Sequence, residues 1–167
     1  MIPAGKVAHI QISPGGLPKT AIARAVVGPL GIEGDGHRHS HIHGGPRKAL
    51  LLLAREALDE LAARGYPLFP GALGENLTTE GLDHRTLRAG QRYRIGSDVF
   101  IELTEPRGPC SALDRYGSGL KDAVYDSRVK AGDSGSPKWG MSGFYAAVLR
   151  EGVIEAGAPV FLVAAAA

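Results

Sequence analysis

Apolar and polar residues alternate along "KVAHIQI" (6–12), the period of a strand with one face in a core. "AIARAVV" (21–27) reads as a second strand, after the turn "SPGGLPK". "QRYRIG" (91–96) and "DVFIELTE" (98–105) read as two more, and the "GS" between them (96–97) is a hairpin signal. "SGFYAAVLREG" and "APVFLVA" supply the last two strands. The pattern changes once, from Pro46 to Arg64. Proline opens that stretch after two glycines, Leu50, Ala54, Ala57, Leu58 and Leu61 fall on one helical face, and Arg64-Gly65 ends it. The expectation is one prominent α-helix over 46–64. Residues 117–140 carry little periodicity and read as a long loop with a short irregular element. The sum is a mainly β, barrel-like single domain over 1–167.

Composition narrows the functional classes. Formal net charge is +2, and no basic run is interleaved with aromatic residues, so nucleic acid is a poor partner and a small anionic ligand a better one. No apolar stretch is long enough to span a bilayer, the start lacks a secretory leader's apolar core, and a single cysteine gives no intrachain disulfide. Cytoplasm is the expected location. Neither GxxxxGK[ST] nor GxGxxG occurs, so those nucleotide-binding loops are unsupported.

Chemistry concentrates in three segments. In "TEPRGPCSAL" (104–113), the one cysteine, Cys110, follows a strand on a turn stiffened by Pro106 and Pro109, with Arg107 near enough to favour a thiolate. Its local sequence alone fits a buried, inert thiol as well. In "HRHSHIHGGPRKAL" (37–50), His37, His39, His41 and His43 recur at every second position, and in extended chain they point one way. They are candidate ligands for zinc or another divalent ion, although neighbours on one strand rarely wrap an ion tetrahedrally. A solvated loop is the competing reading. Gly44, Gly45, Arg47 and Lys48 at the expected helix start form a candidate anion site. In "PGALGENLTTEGL" (70–82), Glu75, Asn76 and Thr78 are candidates for a polar rim, with ordinary turn chemistry as the alternative. "GDSGSP" (132–137) differs at one residue from the GDSGGP of trypsin-like proteases, but the chain has no matching histidine setting, so Ser134 is read as a turn residue.

Taken in order, "GLPKTAIARAVVGPLGIEGDGH", "HGGPRKALLLL", "FPGALGENLTTEGL", "LTEPRGPC" and "GFYAAVLREGVIEAGAPVFL" resemble the MOSC domain family, named for the C-terminal domain of molybdenum cofactor sulfurases. The resemblance covers nearly the whole chain and implies an antiparallel β-barrel with few helices. It implies molybdenum-cofactor (molybdopterin) or cofactor-sulfur chemistry, and for small free-standing bacterial members the reduction of N-hydroxylated compounds. By resemblance Cys110 is the molybdenum ligand or a sulfur carrier, Glu75 and His43 are candidate proton donors, and Arg107, Lys48, Asn76, Thr78, Gly44 and Gly45 surround the cofactor. A small N-hydroxylated substrate, a separate electron-donor protein and a homodimer are the partners to expect, with neither nucleic acid nor membrane. Two alternatives remain open: a Cys110 persulfide carrier without metal, and a zinc domain using His37, His39 and His41. Those three histidines, Gly90-Gln91 and Gly157-Ala158 depart from the family pattern.

Overall fold

The computed structural model describes residues 1–36 and 44–165. Strand β1 (Ile2–Ile12) is the long staple of the fold. On one side it pairs with β6 (Leu77–Glu80); on the other it pairs first with β11 (Pro159–Ala164) and then with the short β2 (Thr20–Ile22). From β11 the ladder runs through β7 (Arg92–Ile95), β8 (Val99–Pro106), β9 (Phe144–Arg150) and β5 (Leu50–Ala54) back to β6, closing a seven-stranded barrel. Closure removes the free edges that an open sheet would expose. The strand pairs are antiparallel except β5 with β6. A second sheet is made of β3 (Arg24–Gly28), β4 (Gly31–Ile32) and β10 (Gly152–Glu155).

Ile10, Leu50, Leu77, Ile95, Ile101, Leu103 and Phe144 fill the barrel, each fully buried. Burying a Leu, Ile or Phe side chain stabilises a fold by roughly 1.5–3 kcal/mol, so this set is what holds the barrel shut. A second core lies outside the barrel wall. There α1 (Arg55–Ala63) places Ala57, Leu58 and Leu61 with Leu53, Leu73, Leu113 and Met141, and α2 (Leu120–Val124) adds Leu120 and Val124. A four-residue helix α3 (Ser127–Lys130), capped by the Asp126 carboxylate accepting from the Val129 N–H, completes the described elements.

The hairpin of β7 and β8 matches the alternation in the sequence; β1 forms as expected, but a bulge between Val7 and His9 buries Val7, Ile10 and Gln11 rather than alternate residues. The helix expected over 46–64 does not form as one element. Pro46–Lys48 is a single 3-10 turn, Leu50–Ala54 is a strand, and only Arg55–Ala63 is helical. The reason is the unbroken run Leu50–Leu53. Leu50 and Leu52 face the barrel interior while Leu53 faces the second core. A strand buried on both faces shows no alternation, and a short apolar run cannot be told from a buried helix by period alone. The end at Arg64-Gly65 is as expected, Gly65 taking φ 99°. The strand expected over 21–27 breaks at Ala23, its halves joining different sheets. The last two expected strands become three, β9, β10 and β11.

Candidate functional site

Strand β8 points Val99, Ile101 and Leu103 into the barrel and then releases the chain at Pro106, opposite Phe144 of β9. Just beyond, the Arg107 N–H donates to the Gly143 carbonyl (2.9 Å) and the Ser142 hydroxyl donates to the Arg107 carbonyl. These bonds tie the PRGPC segment to the turn before β9. Cys110 then caps a 3-10 turn, Ser111–Tyr116, whose Leu113 N–H donates to the Cys110 carbonyl (3.2 Å) and whose Leu113 side chain is anchored in the second core. The thiol is thus held from both sides, half-buried and free of any disulfide.

Cys110 lines a cavity of about 580 Å³ together with Arg107, Lys48, Lys19, Arg115, Asn76 and Tyr145. That volume falls in the range of small-molecule sites. The four cations come from four separate parts of the chain. Lys19 Nζ stands 2.6 Å from Asp35 Oδ1. Lys48 Nζ lies 3.8 Å from Glu105 and 5.2 Å from the centre of the Tyr145 ring. Arg107 and Arg115 meet carbonyls: Arg107 donates to Leu73 (2.8 Å) and Ser142 (3.2 Å), Arg115 to Leu17. The Arg107 guanidinium is buried, and its Nε–H has no hydrogen-bond partner. Burial lowers its pKa, with Tyr145, Cys110 and Glu75 opposing, yet arginine stays cationic across any working pH. Positive charge therefore exceeds negative around the thiol, which suits an anionic ligand. Burial lifts the Tyr145 hydroxyl above its ordinary value, against the pull of Arg107, so the phenol keeps its proton.

Of the residues singled out in the sequence, Cys110, Arg107, Lys48 and Asn76 come together on this cavity. Asn76 is also structural. Its side-chain oxygen accepts from the Leu51 N–H (3.0 Å), and its amide nitrogen donates to Asp35 (2.8 Å) and to the Gln11 carbonyl (3.4 Å). Glu75 and Thr78 are fully buried and do not line the cavity; the Thr78 hydroxyl oxygen is 3.0 Å from Glu75 Oε2. Burial pushes the Glu75 carboxyl up to about 7. Its backbone partners, Thr78 and Arg107 all pull the other way.

Gly44 and Gly45 precede a single 3-10 turn rather than the expected α-helix and, unlike Lys48, are not among the residues lining the cavity. Arg47 likewise does not line it. His37, His39, His41 and His43 lie outside the described residues. Among the described residues, no cluster of three or more His, Cys, Asp or Glu side chains could hold a metal ion, and no helix is long and apolar enough to cross a membrane. Ser134 sits in a turn closed by the Arg128–Asp133 ion pair (2.8 Å), as a turn residue would.

Sequence reasoning missed Lys19, Asp35, Arg115 and Tyr145. Lys19 and Asp35 stood in "GLPK" and "GDG", visible only as turn residues. Arg115 and Tyr145 had no signal beyond their nearness to Cys110 and Phe144.

The sequence profile of the MOSC domain matches residues 39–161. This chain belongs to the MOSC domain family, whose domains are in general molybdenum-cofactor-binding. It is 33% identical over 165 residues to Protein YiiM of Escherichia coli, covering 92% of this chain and 68% of that one. It is 33% identical over 129 residues to the uncharacterized protein YflK of Bacillus subtilis, covering 75% of this chain and 52% of YflK, so it spans about half the length of that relative. The solved structure of YiiM from Geobacillus stearothermophilus superposes with a TM-score of 0.71 at 30% identity, covering 95% of this chain and 75% of that one. The MOSC barrel expected from the sequence is the fold observed.

Proposed function

We propose that this MOSC domain is a molybdenum-cofactor-dependent reductase of N-hydroxylated compounds, with Cys110 as the protein's sulfur ligand to the metal. The observation that carries the reading is one half-exposed thiol on a cavity lined by Arg107, Lys48, Lys19 and Arg115. The residues fit a phosphate-bearing, sulfur-ligated group. A soft thiol donor suits molybdenum, and the Arg107 guanidinium in the cavity wall, with Lys48, Lys19 and Arg115, supplies positive charge for an anionic group. When bound, the cofactor supplies a metal able to exchange two electrons and accept an oxygen atom.

The chain's own residues do the rest. Arg107 and Lys48, with Lys19 and Arg115, would hold the cofactor's phosphate and draw in anionic groups. Asn76 fixes the wall between β5 and β6. Tyr145, whose phenol keeps its proton, lines the cavity beside Lys48. His43 is a further candidate proton source, and His37, His39 and His41 a candidate secondary metal site. The balanced conversion is R–NH–OH plus two electrons and two protons to R–NH₂ and water. The electrons are taken to come from a donor outside this domain, for which a separate electron-donor protein is the proposed partner. A lone free thiol suits the reducing cytoplasm.

The test is elemental and pterin analysis of the protein made in a host with working cofactor biosynthesis, with Cys110→Ala as control. One molybdenum and one pterin per chain, lost in the variant, is the expected result. Absence of both from the unaltered chain sinks the reading, and a labile one-sulfur mass increase on Cys110 under those conditions assigns sulfur carriage instead.

A further inference from the structure

Behind the cavity wall, Gln11 of β1, Thr78 of β6 and Glu75 form a buried chain of polar groups, exposed by 1%, 0% and 0% respectively. The Gln11 amide is best paired when its nitrogen faces the backbone carbonyls rather than Thr78. Its nitrogen donates to the carbonyls of Asn76 (3.1 Å) and Glu75 (3.2 Å), and its oxygen faces Thr78 Oγ1 at 3.1 Å. Thr78 Oγ1 therefore sits between two oxygens, Gln11 Oε1 and Glu75 Oε2, the latter at 3.0 Å. A hydroxyl has one hydrogen to give. If Thr78 gives it to Gln11, the short contact with Glu75 is a hydrogen bond only when Glu75 supplies the proton.

We infer that Glu75 is a neutral carboxylic acid in the resting protein, donating to Thr78, which donates to Gln11, and that this neutrality leaves the positive charge of Arg107 available to an anion in the cavity. Three further observations agree. Glu75 Oε1 makes no hydrogen bond of good geometry, although the Gly71 and Glu75 backbone N–H groups lie toward the carboxyl and favour its charged form; that is tolerable for the carbonyl oxygen of an acid and costly for a buried carboxylate. No ion pair joins Glu75 to Arg107, although Arg107 is the cation that faces it. Burial independently holds the group's pKa near neutrality. The other groups facing Glu75 are the Tyr116 hydroxyl, from the turn after Cys110, and the Gly71 backbone, from the preceding turn. Neither carries a charge at neutral pH. Glu75 is thus a positioning residue that acts through Arg107, and it is separate from the cavity surface.

The effect on anions rests on the proposed reading of the cavity; the proton on Glu75 does not, so two measurements separate them. The side-chain carboxyl carbons of the full chain, labelled with ¹³C-glutamate, are followed by NMR from pH 4 to 9. One resonance titrating with a midpoint near 7, absent from Glu75→Gln, is expected. If every glutamate titrates in the ordinary carboxylate range, the inference is overturned, and this readout needs no variant to decide it. Binding of sulfate, which does not titrate here, is measured by calorimetry on the cofactor-free chain. Its affinity should fall roughly tenfold between pH 6 and 8, the scale of one added charge at a protein site's effective dielectric, and be flat in Glu75→Gln. An identical pH dependence in that variant overturns the coupling to Arg107. No sulfate binding at either pH counts against the cavity reading itself, while the NMR titration still decides the proton.

Discussion

Lys19 Nζ lies 2.6 Å from Asp35 Oδ1, and both side chains are more than nine-tenths buried. The same carboxylate accepts from the Ser13 N–H (3.0 Å) through Oδ1 and from Asn76 Nδ2 (2.8 Å) through Oδ2. Asp35 thereby joins the loops after β1 and β4 to the bend before β6 that carries Asn76, and it holds one cation of the cavity in place. Removing one member of a buried pair strands the other charge, which costs about 3–5 kcal/mol, whereas an apolar replacement of both costs far less. Asp35→Ala should therefore lower the melting temperature sharply. The double variant Lys19→Met with Asp35→Leu should recover most of that loss while weakening anion binding. Thermal melts of the three proteins check this, and a double variant as unstable as the single would contradict it.

Arg107 is expected to be irreplaceable by lysine. Its guanidinium spans the carbonyls of Leu73 and Ser142, joining the turn before β6 to the turn before β9. A single ammonium on a flexible stem cannot reach both in one geometry. Arg107→Lys leaves a buried carbonyl unpaired, at about 1–3 kcal/mol. Since a domain of this size loses roughly 2–4 °C of melting temperature per kcal/mol, the shift is readable by calorimetry. Unchanged melting would mean the two carbonyl bonds contribute nothing to the fold.

Much of the architecture was legible because half-buried strands leave a period of two. The β7–β8 hairpin follows from that rule, with the turn chemistry at Gly96-Ser97 beside it, whereas in β1 a bulge between Val7 and His9 interrupts the period. Leu50–Leu53 was misread because β5 is covered on both faces, by the barrel core and by α1, so its sequence carries no alternation to detect. The site was legible around Cys110 because cysteine, proline and arginine cluster within five residues. Lys19 and Arg115 were not, because what makes them part of the site is contact across the fold: Lys19 pairs with Asp35, and Arg115 donates to the Leu17 carbonyl. Glu75 was noticed as a proton source. Its position behind the wall is set by the turn that leads into β6 and its contacts across the fold, which no local pattern encodes.

Glu75 also makes stability depend on pH in a definite direction. Its pKa rises from 4.5 in the unfolded chain to about 7 in the folded one. Between those values the folded state binds more protons than the unfolded state, so stability declines as pH rises through that window and is level above it. A shift of that size corresponds to on the order of 3 kcal/mol. Urea unfolding at pH 5 and pH 8 should show this decline, and Glu75→Gln, which has no proton to lose, should lack the part due to this group. A wild-type decline that persists in full in the variant would assign it to other groups.

Gly71 is the backbone position on which the Lys19 loop depends. It adopts φ 93°, where side chains are strained, and a Cβ built there would run into the Lys19 carbonyl oxygen. That oxygen belongs to the residue whose own N–H donates to the Gly71 carbonyl (2.9 Å), so the two segments are clasped back to back. Gly71→Ala must either move the Lys19 loop or distort the turn leading to Glu75. The positive φ alone costs about 1 kcal/mol, and the contact with backbone, which cannot rotate away, adds to it. The expected outcome is a total loss of about 2 kcal/mol or more, with sulfate affinity reduced because Lys19 is displaced from the cavity. Gly65→Ala serves as the control: its φ is 99° with no heavy atom within 4 Å of the added methyl, so it should show the strain without the change in anion binding. Equal effects of the two substitutions on sulfate affinity would separate Gly71 from the site.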